Sequence, residues 1–240
     1  MTAAKLKSAA SSERRKKGPV EQQGDLLLTP DYMDLAHKHQ LFPSHPWNVR
    51  AAVETLCPLI FPTWPETPPA MVVYDICAGL GHMSVPLGEY FSDVRPSDII
   101  DWGKGYPVAD AMAFEADSAP YDSIAIFNPP FDGELGNMAE KFVRQAQKTC
   151  DRVFVLCRLA FICSTGRYAL HHQNPLGNLK YFMPCSERAP MQLGLYNPRC
   201  SKPQEHAWFY YERGHTGPYT GINLPLGLRA KHFRPEDVRI

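Results

Sequence analysis

Residues 71–81 read MVVYDICAGLG, and few arrangements of chain accommodate them. MVVYDIC (71–77) has the apolar character of a strand buried on both faces, and it runs into AGLG without a polar break. Gly79 and Gly81 let the backbone turn tightly and approach a ligand where a Cβ would clash. HMSVPLGEYF (82–91) is helix-like behind that turn, with Pro86 in its first turns. A buried strand, a glycine turn and a helix in succession open a parallel α/β sheet.

The alternation continues along the chain. Val94–Ile100 suggests a second strand, SIAIF (123–127) a third and RVFVLCR (152–158) a fourth. LGNMAEKFVRQAQKTC (135–150) places Met138, Phe142, Val143 and Ala146 on one helical face. Upstream, WNVRAAVETLCPLI (47–60) has helical spacing, stopped near Pro58, and FPTWPETPP is a proline-rich connection. After Phe161 the pattern changes. Residues 164–204 are polar, with a short strand candidate at 181–183, before HAWFYYE (206–212) restores an aromatic strand. Such long polar connections are commonly functional or disordered. The expected fold is α/β and Rossmann-like, a mostly parallel twisted sheet with helices on both faces and a small insertion late in the chain. One domain over 21–225 is expected, between a disordered basic arm (1–20) and a C-terminal tail (226–240).

Charge is balanced overall, at 25 basic against 25 acidic side chains, but unevenly placed. Residues 1–17 carry six bases against Glu13 alone, residues 86–140 eleven acids against two bases, and residues 141–240 fifteen bases against six acids. An acidic centre between basic ends suits a polyanion at the ends and another ligand at the centre. No apolar run reaches the ~18 residues of a membrane span, and no apolar segment backs the basic N-terminus as in a secretory signal. Seven cysteines without a C-x-x-C pair argue against a disulfide framework and a zinc site, and the expected surroundings are a reducing cytoplasm.

Two motifs carry chemistry. In the first, Asp75 and the glycine turn are followed by Asp98 near the end of the next strand, placed to accept hydrogen bonds from a ribose diol. Ser84 stands where a dinucleotide fingerprint has its third glycine, so a nicotinamide cofactor fits less well, and Asp75 suits a cationic or amino-acid group. The second is Asn128-Pro129-Pro130-Phe131, directly after an apolar strand. The Asn128 side-chain oxygen and the Pro129 carbonyl both accept, which matches the two donors of a planar –NH2. Accepting both protons localises the nitrogen lone pair and stabilises the positive charge that develops on attack. Phe131 offers a face for a planar ring.

DICAGLG, SDIID and NPPF in that order resemble the cofactor and catalytic motifs of amino-methyltransferases that use S-adenosyl-L-methionine. FPSHPW (42–47), SDIIDWGKGYP (97–107), LCRLAF (156–161), SERAPM (186–191) and HAWFYYERG (206–214) are further similar to phage-type adenine-specific DNA methyltransferases, over roughly residues 42–225. The resemblance implies transfer of a methyl group to the N6 amine of adenine in duplex DNA, with the target base flipped out of the stack, in a bacterial or phage-infected cell. It implies that Asp75, Ala78, Gly79 and Gly81 line the methionine side of the cofactor. Asp98 would hold the ribose, with Ile99 beside the adenine ring and Asp110 and Ala111 against it, while Asn128, Pro129, Pro130 and Phe131 hold the target amine. The family usually has Thr-Pro where this chain has Ser44-His45-Pro46. Arg158, Arg167, Lys180, Arg188, Arg199 and Lys202 are candidates for phosphate contacts, and each also reads as an ordinary solvated charge. Trp208, Phe209, Tyr210 and Tyr211 alternate on their strand, so half are expected in the core. Two other readings stay open: a methyltransferase acting on a planar amine of RNA or on protein glutamine, and a non-catalytic nucleic-acid-binding protein that keeps the fold.

Overall fold

The computed structural model describes residues 29–66, 70–116, 123–131 and 137–240. The expected basic arm, 1–20, lies outside the described residues. Seven strands form one sheet: β1 (Val72–Asp75), β2 (Asp93–Pro96), β3 (Ser123–Phe127), β4 (Arg152–Arg158), β5 (Leu179–Pro184), β6 (His206–Glu212) and β7 (Thr220–Gly221). Their spatial order is β2-β1-β3-β4-β6-β5-β7. The first four strands run parallel, and β6 lies antiparallel between β4 and β5. The sheet is therefore mixed at its late edge and parallel where the two motifs stand.

Period-two alternation explains why both faces are covered. Val73, Ile124, Ile126, Phe154, Leu156, Trp208 and Tyr210 point to one face. There they meet Val49, Val53 and Leu56 of helix α2 (Pro46–Ile60), which follows helix α1 (Pro30–Lys38) in the chain, and Leu87 of the one-turn helix α3 (Ser84–Leu87). Val72, Tyr74, Ala125, Phe127, Val153, Val155, Phe209 and Tyr211 point the other way. They meet Ala139, Phe142, Val143 and Ala146 of helix α4 (Met138–Thr149) and Leu170 of helix α5 (Tyr168–His172). Trp208, Phe209, Tyr210 and Tyr211 are all at most 1% exposed. The expectation that half of them face outward is corrected, because helices close both sides of β6.

Three further expectations shift. Helix α2 runs two residues past Pro58 and is closed by Phe61 N–H donating to the Cys57 carbonyl (2.8 Å). The helix expected over 82–91 shrinks to α3, which holds Pro86 in its first turn, and turns through Tyr90 follow it. The polar stretch 164–204 contains α5 and β5, and β5 is a working strand of six residues at half-buried positions that dilute its apolar signal.

Residues 226–240, set apart in the sequence as a tail, carry helix α6 (Leu228–His232) and a 3-10 turn (Pro235–Arg239) fastened to the domain. Arg50, 2% exposed on α2, spends its donors on that fastening. It binds both oxygens of Asp237 (2.8 and 2.9 Å), both oxygens of Glu89, and the His232 carbonyl (3.1 Å). Asp237→Ala removes two charge-assisted bonds while Glu89 still balances the guanidinium. The expected loss is about 2 kcal/mol in denaturant unfolding. A midpoint indistinguishable from wild type would show the fastening to be idle.

Candidate active site

The C-terminal ends of the parallel strands open onto a cavity of about 730 Å³, within the usual range for small-molecule sites. Its floor is the glycine turn after β1. Gly79 (φ +52°) and Gly81 (φ +88°) adopt backbone angles that side chains disfavour. A Cβ on Gly79 would lie 2.8 Å from Leu41 Cδ1, and one on Gly81 would collide with the Tyr106 hydroxyl. The turn is tied sideways to the loop after β2, where Ala78 N–H donates to the Ser97 carbonyl (3.0 Å) and Ser97 N–H to the Asp75 carbonyl (2.8 Å).

Asp98 is the centre of that tie. Its Oδ2 accepts from Gly79 N–H (2.9 Å), and its Oδ1 accepts from Ile100 N–H (3.0 Å) and Trp102 Nε1–H (3.1 Å). A carboxylate has about four acceptor positions, so one remains, on Oδ2. Ile99, Asp110, Ala111 and Met112 continue the wall beyond it. Asp110 caps the 3-10 turn Ala111–Ala113 through Met112 N–H (2.8 Å), which gives order to a stretch without strand pattern.

Asn128 stands on the other side, directly after β3. Its Nδ2 donates to the Phe42 carbonyl (2.9 Å) and the Ser44 hydroxyl (3.1 Å). Phe42's carbonyl can only accept, so the amide cannot be flipped without setting two oxygens against each other. Oδ1 is thereby fixed on the far side, and it is buried with no donor. Ser44-His45-Pro46, the point of departure from the usual Thr-Pro, thus supplies an acceptor for Asn128. Phe131 packs 6.4 Å from Phe42, and the Arg158 guanidinium lies 5.3 Å from its ring centroid.

Of the residues singled out from sequence, Ala78, Gly79, Asp98, Ile99, Asp110, Ala111, Asn128 and Pro130 line this one cavity. Asp75, Gly81, Pro129 and Phe131 lie behind or beside the lining. Asp75 is 0% exposed, and its carboxylate accepts from the Ser84 hydroxyl (2.5 Å) and Cys77 N–H (3.4 Å). It braces the turn from behind. Burial pushes its pKa up to about 7, against the pull of those two bonds. An unfolded chain releases this proton near 3.8 and the folded one holds it to about 7. Between those values the folded state binds the extra proton, so stability falls as pH rises. Thermal melts from pH 4 to 8 should decline more steeply for wild type than for Asp75→Asn, and parallel profiles would contradict this origin.

Residues 37–41, which line the cavity beside the glycine turn, and His82 were not among the site residues expected from sequence, whereas Phe42 and Ser44 of the same wall lie in FPSHPW (42–47). The basic candidates divide. Arg158 ends β4 beside Phe131, and Arg167 donates to the Phe161 and Ala160 carbonyls just beyond it. Arg199 and Lys202 are exposed, and Arg188 is ion-paired with Glu205 (3.1 Å). Lys180 pairs with Glu212 (2.7 Å), which lies opposite Arg152 at the start of β4, at the end of the strands away from the cavity. Among the described residues, no three His, Cys, Asp or Glu side chains are grouped to hold a metal, and no helix is long and apolar enough to cross a membrane.

No family model and no curated protein matches this chain. Among solved structures, the cryo-EM structure of a DrdV–DNA complex superposes with a TM-score of 0.53 at 13% identity, over 85% of this chain and 30% of that one. A candidate RNA methyltransferase from Pyrococcus horikoshii superposes at 0.46, with 14% identity, over 69% and 81% of the two chains. The 23S rRNA methyltransferase ErmE superposes at 0.45, with 16% identity, over 69% and 67%. At these identities the likeness is one of fold. The observed sheet is the Rossmann-like α/β fold that the motifs imply.

Proposed function

We propose that this protein transfers a methyl group from S-adenosyl-L-methionine to a planar exocyclic amine, the N6 of adenine in DNA. The observation that carries the reading is the unpartnered Asn128 Oδ1, whose orientation is fixed because the acceptor-only Phe42 carbonyl can bond the amide nitrogen and not the oxygen. A buried acceptor without a donor costs about 1–3 kcal/mol, and an incoming –NH2 removes that cost while being oriented by it. The Pro129 carbonyl supplies the second acceptor of the proposed pair. An amine held by both keeps its lone pair on nitrogen.

The lining of the cavity supports the methyl donor as its ligand. Asp98 and Asp110 give it acidic walls suited to a cation, the glycine turn admits a ligand against bare backbone, and Asp98 keeps one acceptor position for one ribose hydroxyl. When bound, the donor supplies an activated methyl on sulfur. The chain's own task is then alignment and exclusion of water, and no cysteine is asked to act as nucleophile. Arg158 and Arg167, at the rim after β4, are the proposed first phosphate contacts, with Arg188, Arg199 and Lys202 further out. Duplex DNA is the proposed partner, its adenine leaving the stack at a cost of a few kcal/mol.

The test is to incubate the protein and methyl-labelled S-adenosyl-L-methionine with duplex DNA, single-stranded DNA, RNA or a protein extract, then digest and identify products by mass spectrometry. N6-methyladenine in DNA is expected. Label confined to RNA or to glutamine would keep the chemistry and overturn the substrate. Label in none of them would favour a binding protein that keeps the fold.

A further inference from the structure

His82 follows the glycine turn, lines the cavity and is 4% exposed, yet neither ring nitrogen has a partner. Burial, with Lys104 and His45 nearby, pushes its pKa down to about 3, so the ring is neutral and offers one donor and one acceptor. Tyr196 packs on it, ring centroids 4.6 Å apart, and the Tyr196 hydroxyl is likewise buried and unpartnered. His45 lies 5.3 Å from Tyr196 on the other side. Its Nε2 sits 2.7 Å from the Pro190 carbonyl, which can only accept, so Nε2 carries the hydrogen and Nδ1 is a bare acceptor without a donor. Three neighbouring side chains thus hold four orphaned polar atoms beside one wall of the cavity. Leaving each unsatisfied is costly, and together they present both donors and acceptors.

On the cofactor reading proposed above, the adenosine end belongs with Asp98, Ile99 and Ala111, and the sulfur belongs by Asn128. The sulfur's remaining substituent is an amino acid, with a carboxylate that accepts and an ammonium that donates. Of the cavity wall not already assigned, the part that carries unsatisfied donors and acceptors is the one at His82. We infer that His82 is the contact that recognises the amino-acid end of the cofactor, with Tyr196 packed against it as a positioning residue. The inference rests on the cofactor reading. It makes the site selective for ligands with that end over ligands that stop at the thioether.

Isothermal titration of the full chain with S-adenosylhomocysteine and with 5′-methylthioadenosine, which shares the adenosine and sulfur but lacks the amino acid, tests this. Wild type is expected to prefer S-adenosylhomocysteine. His82→Phe keeps the ring packing and removes the nitrogens. It should weaken S-adenosylhomocysteine by about tenfold or more and leave 5′-methylthioadenosine within about twofold. His82→Asn, which restores a donor and an acceptor, should recover part of the loss, and it serves as the reporting variant if His82→Phe melts early. An unchanged ratio, or equal loss of both ligands, overturns the role of His82 while leaving the cofactor reading intact. Wild type binding neither ligand overturns the cofactor reading, and the inference with it.

Discussion

Asn128→Ala is expected to lower methyl transfer by about a thousandfold while S-adenosylhomocysteine affinity changes by less than about threefold. The size follows from where the oxygen stands. Oδ1 is buried, unpartnered and fixed, so it can be stronger toward an amine acquiring positive charge than toward the ground state. The selectivity of the effect follows from the division of the cavity, since the tie between Asp98 and Gly79 does not involve Asn128. The variant also removes the bonds from Nδ2 to Phe42 and Ser44, so loosening of that wall must be separated from loss of the acceptor. Ser44→Ala does this. It deletes one of those bonds and leaves Oδ1 in place, and should cost less than about tenfold in rate. Equal losses in the two variants would mean that the wall matters and the oxygen does not.

Asp98→Ala should act on the other end, raising the dissociation constant for S-adenosylhomocysteine by about a hundredfold. One carboxylate satisfies Gly79 N–H, Ile100 N–H and Trp102 Nε1–H, and has one position left for a ligand. Alanine strands all three donors and frees a turn whose positive-φ glycines depend on outside support. At saturating cofactor the rate should recover to within a few-fold, because Asn128 is untouched. Asp98→Asn keeps one acceptor oxygen and should fall between. A turnover defect that persists at saturation would show that the turn aligns the reacting groups as well as binding the donor.

Much of the site was legible in the sequence for a physical reason. Gly79, Asp98 and Asn128 each follow the C-terminal end of a strand, and parallel strands put those ends on one edge. The spent and spare positions of each group were not legible. Asp98 reads as a partner for both hydroxyls of a diol, but three internal donors leave room for one. Asp75 reads as part of the lining, but the strand buries it behind the turn. The wall at 37–44 comes from before the first strand, and Asn128 meets Phe42 across 86 residues. His82 and Tyr196 are brought together only by tertiary packing, and although His82 directly follows the glycine turn, no local signal marks Tyr196. The tail was set apart because the resemblance ends near residue 225, and nothing local shows that Asp237 beyond it is buried against Arg50 across 187 residues. Lys180, in the basic half of the chain, is paired with Glu212, a partner that no local pattern marks.

The central claim is that the cavity at the ends of β1 and β3 binds the methyl donor and presents it to Asn128. A crystal structure with S-adenosylhomocysteine tests it most directly. The predicted result is a ribose hydroxyl on Asp98 Oδ2, sulfur facing Asn128 Oδ1, and the amino acid at His82. Ligand seated elsewhere, or seated in the cavity with its sulfur turned away from Asn128, would contradict the account.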